Sequence, residues 1–127
     1  MTGRFPQLSI RSRLLCGEEI AMGPGKADLL EAIRAHGSIS AAARAMDMSY
    51  RRAWLLVDAM NRCWAQPLVA TSPGRAGGSG AQLTEAGETI LAHYRALEQR
   101  IEQAADNPDT AALAALLRPI PTERQEH

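Results

Sequence analysis

The chain has 127 residues, with 14 lysines and arginines against 14 aspartates and glutamates. That length holds one domain with a modest core and an appended helix or tail, and zero formal net charge excludes a histone-like, generally sticky basic protein. Cys16 and Cys63 lack ligand-like spacing and read as reduced structural thiols, and no stretch has the pattern of a secretion signal or a membrane span, so a cytoplasmic protein is expected.

In the N-terminal region, 1–22, residues 5–15 alternate in part, with Leu8, Ile10 and Leu14 set against Gln7, Ser9, Arg11 and Arg13. This predicts a half-exposed strand, while 16–20 is ambiguous. Met22-Gly23-Pro24-Gly25-Lys26 reads as a turn, after which Leu29, Leu30 and Ile33 form the apolar stripe of a helix ending at Gly37. Gly25-Lys26 is no phosphate loop, because Ile20 stands at the earlier glycine position and Ala27 replaces the hydroxyl residue that would hold magnesium.

The stretch 37–61 reads as two helices joined by a very short turn. Ser38 and Ser40 suit the cap of a short alanine-rich helix, 41–45. Asp47-Met48-Ser49 supplies the turn and a second cap, and Ala53, Val57, Met60 and Trp64 then recur at helical spacing. The opposite face begins with Tyr50, Arg51 and Arg52. An exposed first turn carrying a phenol and two guanidiniums, behind a capped short helix, has the layout needed to enter a major groove, where arginine bonds guanine O6 and N7 in bidentate fashion. The segment 49–65 is therefore the expected recognition helix.

After Pro67, residues 68–71 and 81–84 read as short strands around a glycine-rich tip, 72–80, carrying Arg75. Placed directly after a helix-turn-helix, this hairpin reads as a wing whose glycines permit close approach to a phosphate backbone, with Arg75 reaching phosphate or a minor groove. A solvated hairpin without a partner is the blander reading. The next helix, 84–106, places Ile90, Tyr94, Leu97, Ile101 and Ala104 at alternating four- and three-residue steps. That seam suits pairing with the same helix of a second copy, or else covers the domain's own core. Residues 107–127 read as a short helix followed by a disordered tail. Charge is uneven along the chain: 44–84 holds five arginines against two aspartates, whereas 85–127 holds four arginines against eight acids. A locally basic surface thus precedes an acidic one.

Taken together, the elements predict a mainly α fold with a small β wing: a winged helix-turn-helix over 23–83, followed by a long dimerisation helix. The runs Gly23-Pro24-Gly25-Lys26, Gly37-Ser38-Ile39-Ser40-Ala41-Ala42-Ala43, Met48-Ser49-Tyr50-Arg51-Arg52-Ala53-Trp54, Met60-Asn61, Pro67-Leu68-Val69 and Leu83-Thr84-Glu85-Ala86-Gly87 resemble the N-terminal domain of ModE-type molybdate-responsive transcriptional regulators, which are related to the LysR type. The resemblance spans roughly 20–105. It implies a homodimer on a pseudo-palindromic double-stranded DNA operator. It also implies recognition contacts from Ser49, Tyr50, Arg51 and Arg52, phosphate-side caps at Ser38 and Ser40, and wing contacts from Arg75, Gly77, Gly78 and Ser79. Trp54, by the same match, either stacks on the DNA backbone or packs in the core. Full-length members add molybdate-binding domains that these residues do not include, so a stand-alone DNA-binding member without a cofactor is the expectation. A protein-interaction adaptor that dimerises through 84–106 is the alternative. The scattered His36, His93 and His127 offer no catalytic arrangement, so no enzyme is expected.

Overall fold

The computed structural model describes residues 5–75 and 78–125, and for 73–75 and 78–79 the backbone alone. Two compact units divide it, one formed by Arg11–Glu98 and the other by residues 1–10 with 99–127.

The larger unit opens with a hairpin of β1 (Leu14–Cys16) and β2 (Glu19–Met22), antiparallel and turning through Gly17 in the left-handed region (φ 60°). The strand expected over 5–15 is thus confined to its last residues. A strand needs a partner for its backbone groups, and the four residues of β2 are taken up by Leu14–Cys16, so among the described residues the ladder does not extend back along 6–13. Helix α1 (Pro24–His36) starts at Pro24, whose missing N–H costs nothing at a helix start, and ends where Gly37 adopts φ 78° and donates its N–H to Ile33 O at 2.8 Å. Helix α2 (Ile39–Ala45) and helix α3 (Tyr50–Cys63) follow, separated by a turn in which Asp47 takes φ 54°. Ala53, Val57 and Met60 turn into the core as expected, and Trp64 packs at its edge with its indole N–H donated to Ala21 O at 3.0 Å.

Strands β3 (Val69–Arg75) and β4 (Gly78–Leu83) pair antiparallel, Val69 opposite Leu83, with an irregularity between Ser72 and Arg75. The ladder therefore runs further toward the tip than the two four-residue strands expected. Asn61, on the last turn of α3, clamps the base of β3: its carbonyl accepts from Leu68 N (2.9 Å) and Val69 N (3.1 Å), and its amide donates to Val69 O (3.1 Å). Helix α4 (Glu85–Ala105) is capped by Thr84, whose hydroxyl accepts from Gly87 N and donates to Pro67 O. Gly87 is required there, because a Cβ would run into the carbonyl of Leu68.

Met22, Leu29, Leu30, Ile33, Met60, Leu68 and Tyr94 are fully buried in one apolar cluster. Each large apolar side chain among them contributes roughly 1.5–3 kcal/mol. Tyr94, 2% exposed, donates its hydroxyl to Ser12 O at 2.8 Å. Arg95 spans α4 and α1, reaching Asp28 (2.6 Å), Glu31 (2.7 Å) and Glu98 (2.9 Å). Burial opposes its charge, yet hydrogen bonds to Glu31, Glu98 and Asp28 hold the guanidinium above the ordinary arginine range.

In the smaller unit, α5 (Pro108–Leu116) is capped by Asn107, which accepts from Asp109 N and Thr110 N. No residue of α5 is buried, and Leu113, Leu116 and Leu117 are exposed, Leu116 at 83%. Residues 119–125 have no regular secondary structure.

Replacing Asn61 by alanine leaves the Leu68 and Val69 backbone groups without their partner, and is expected to cost about 2–3 kcal/mol of folding stability in denaturant melts. Replacing Gly87 by alanine is expected to cost about 1–3 kcal/mol by the same measurement, because helix and strand must move apart.

Candidate nucleic-acid interface

Ser49 leaves the preceding turn in an extended conformation and accepts from Arg52 N at 3.1 Å, so the first turn of α3 is closed by its own cap. Ser38 caps α2 in the same way, accepting from Ala41 N at 3.0 Å. Ser40 does not share that role. It lies inside α2, where its hydroxyl accepts from Arg44 Nη1 at 3.0 Å, because only one residue can hold the N-cap and Ser38 does.

Tyr50 (56% exposed), Arg51 and Arg52 all stand on the open side of α3, and Trp54 (47% exposed) joins them one turn on. Of the two places open to Trp54, the core is thus excluded. Leu55 is exposed beside it and was not singled out in the sequence, although it lies four residues after Arg51 on the same face. Facing water, Trp54 and Leu55 form an apolar strip next to two guanidiniums. Such a strip suits thymine methyls or sugar faces as well as arginine suits guanine.

The electrostatics refine the sequence reading in two places. Arg62 is already engaged by two carboxylates, Asp58 (2.9 Å) and Glu19 (3.0 Å), and those hydrogen bonds raise its pKa. Lys26 adds a charge that sequence reasoning passed over as part of a failed phosphate loop. Burial lowers its pKa, Glu19 opposes that, and Arg13 and Arg52 are near enough to lower it further. Lys26 on α1 thus feels Arg13 and Arg52, but more strongly the carboxylate of Glu19.

The wing is fixed at its base. Ala81 N donates to Gly37 O at 2.8 Å, joining β4 to the turn before α2, while Asn61 joins β3 to α3. Backbone pairing continues out to Arg75 opposite Gly78. Gly77 and the side chains of Arg75 and Ser79 lie outside the described residues. On α4 the expected seam divides: Ile90 packs on the core and Tyr94 is inside it, so neither faces outward, whereas Leu97 (38%) and Ala104 are exposed and Ile101 is half-buried. Tyr94 is buried in the apolar cluster, and its hydroxyl donates to Ser12 O.

A capped short helix, a second helix with a cationic and aromatic open face, and a hairpin anchored to both define a winged helix-turn-helix. Residues 26–88 match the bacterial regulatory helix-turn-helix proteins of the lysR family, which marks this segment as a LysR-type helix-turn-helix domain. Molybdenum-pterin-binding protein MopB of Rhodobacter capsulatus is 51% identical over 77 residues, 61% of this chain and 28% of its own. Molybdenum transport protein ModE of Azotobacter vinelandii is 43% identical over 86 residues, 68% of this chain and 32% of its own. The DNA-binding transcriptional dual regulator ModE of Escherichia coli K12 is 32% identical over 117 residues, 90% of this chain and 45% of its own. The chain thus spans less than half the length of these relatives. A crystal structure of a LysR family transcriptional regulator superposes with a TM-score of 0.50 at 18% identity, covering 70% of this chain and 29% of that one, which speaks for the fold.

Replacing Ser49 by alanine is expected to cost about 1 kcal/mol of stability, with the loss confined to the start of α3 in amide hydrogen exchange.

Proposed function

We propose that this chain is a sequence-specific DNA-binding transcriptional regulator linked to molybdenum, acting as a homodimer on a pseudo-palindromic operator. The observation that carries the reading is the open face of α3, where Tyr50, Arg51, Arg52 and Trp54 stand together in solvent on a helix whose other face is locked in the core. Arg51 and Arg52 read base edges in the major groove, and the cap at Ser49 sets the start of that helix. Ser38, at the start of α2, lies on the phosphate side, and Lys26 and Arg13 add backbone charge. Arg75, with Gly77, Gly78 and Ser79, follows the flanking backbone or minor groove. A relative named as a transcriptional dual regulator supports the link to transcription, and relatives named for molybdenum transport and molybdenum-pterin binding support the link to molybdenum. Catalysis has no part in this reading, and a cytoplasmic location follows from it. Among the described residues no helix is long and apolar enough to cross a membrane.

Self-association is supported by apolar side chains left in water: Leu97 on α4, and Leu113, Leu116, Leu117 and Ile120 further on. Two copies joined through the second half of α4 by Leu97, Ile101 and Ala104 would place two recognition helices on one duplex, as a palindromic site requires.

Selection from a random DNA pool should enrich a palindrome. Fluorescence anisotropy should then show the Arg51→Ala/Arg52→Ala variant losing preference for it by at least about a hundredfold, on the scale of roughly 1–3 kcal/mol per bidentate pair. Arg75→Ala should weaken all sequences alike and reduce the salt slope by about one. Wild-type operator affinity in the double variant would refute the groove assignment, and no enrichment at all would favour the protein-interaction adaptor. Leu97→Glu is expected to give monomers in sedimentation and to weaken operator binding by about tenfold or more.

A further inference from the structure

The two cysteines carry chemistry that DNA reading leaves unused. Far apart in sequence, they are brought together by the docking of the β1–β2 hairpin on the end of α3. Cys16 closes β1 and pairs across the hairpin with Glu19. Glu19 receives Arg62 Nη2 at 3.0 Å, and the residue after Arg62 is Cys63, the last of α3. Trp64, which follows, donates its indole N–H to Ala21 O on the same strand as Glu19. Cys63 is therefore bracketed by two bonds to β2, with Cys16 on the strand beside it.

The two thiols feel one another. Burial first, and then the Cys16 sulfur, keep the proton on Cys63 and raise its pKa, while Arg62 works in the opposite direction. Lys26 is also close enough to sense the charge of Cys63. Both thiols are free, Cys16 exposed to solvent and Cys63 partly so. Among the described residues no group of three His, Cys, Asp or Glu could hold a metal ion, so the pair is not a fragment of a metal centre.

We propose that Cys16 and Cys63 form an oxidisable dithiol site that closes to an intramolecular disulfide when the chain meets hydrogen peroxide. The exposed Cys16 is the sulfur the oxidant reaches. Its thiolate attacks a peroxide oxygen, the O–O bond breaks, one water leaves and Cys16 becomes a sulfenic acid. The Cys63 sulfur, giving up its proton in the step, attacks the Cys16 sulfur, forming the S–S bond and expelling the second water. Two thiols lose two electrons and two protons in all, and one peroxide is reduced to two waters. The product ties the hairpin to the end of the recognition helix remote from Tyr50, about 20 Å along a helix of this length. The bond thus fastens a docking that already exists and leaves the open face of α3 as it is.

The test uses the full chain, reduced and then treated with a small excess of hydrogen peroxide, and reads intact mass, thiol alkylation and thermal unfolding. The expected product is a monomer lighter by two hydrogen atoms. Both thiols are lost to alkylation together, a tryptic peptide pair joins Cys16 to Cys63, and the melting temperature rises by about 5 °C or more and falls back with dithiothreitol. Cys16→Ser and Cys63→Ser should each abolish the rise. Oxygen added to Cys16 while Cys63 still alkylates, a disulfide found only between two chains, or an unchanged melting temperature would each overturn the proposal. The wild-type mass measurement decides the matter even where a serine variant folds poorly, and none of these readouts depends on DNA.

Discussion

The backbone of Leu68 is where the larger unit is held together. Its side chain is fully buried, its N–H is accepted by Asn61 on α3, and its carbonyl accepts from Thr84 N at 2.9 Å just before α4. Gly87 then lets α4 come against that same carbonyl. A two-stranded sheet leaves each outer edge without a neighbour, and a buried unpaired backbone group costs about 1–3 kcal/mol. Asparagine answers this because it both accepts and donates on one short side chain: aspartate would lack the donor and leucine would lack both. Helix α3, the β3–β4 hairpin and α4 are thereby referred to a single point in the chain, and hydrogen bonds act together with the buried side chains of Leu68, Val69 and Ala81 to set the direction in which the hairpin leaves the domain.

Much of this was legible from periodicity and caps. The stripe of Ala53, Val57 and Met60, the stop at Gly37, the serine caps at 38 and 49 and the hairpin after Pro67 are all local signals, and each element formed near its predicted place. What local pattern could not supply was partnership. Alternation in 5–15 looked strand-like, but whether it pairs depends on β2 and on the turn at Gly17. Tyr94 and Leu97 share one apolar stripe on α4, and it is the surrounding core, with Ser12 O taking the hydroxyl, that distinguishes the buried tyrosine from the exposed leucine. The same holds for Trp54: nothing in a helical wheel distinguishes an aromatic that packs from one that faces water, since the neighbouring elements decide it.

Charge behaves likewise. A tally of arginines along 44–84 treats Arg62 as part of a basic surface, yet Asp58 and Glu19 occupy it, and its work is to seat the β1–β2 hairpin. Arg95 stands in an acidic stretch and serves as a tie between α1 and α4. The exposed guanidiniums on α3 outside such ion pairs with neighbouring carboxylates are Arg51 and Arg52. A chain with no net charge can thus present a cationic face by spending other arginines on its own carboxylates. In the DNA-binding reading proposed above, zero net charge gives weak long-range attraction, and affinity would rest on close fit at a few positions.

Gly37 ends α1 and also accepts the N–H of Ala81, so one residue serves a helix terminus and the base of β4. With Asn61 holding β3, both strands are pinned where they leave the domain. Length variation among related chains then has one inexpensive location, the tip between Ser72 and Gly80. Residues gained or lost there alter how far the hairpin extends and leave its angle unchanged, whereas an insertion at the base would have to break the joint at Gly37 or at Asn61. The reach of the wing and the placement of α3 are therefore set by different residues.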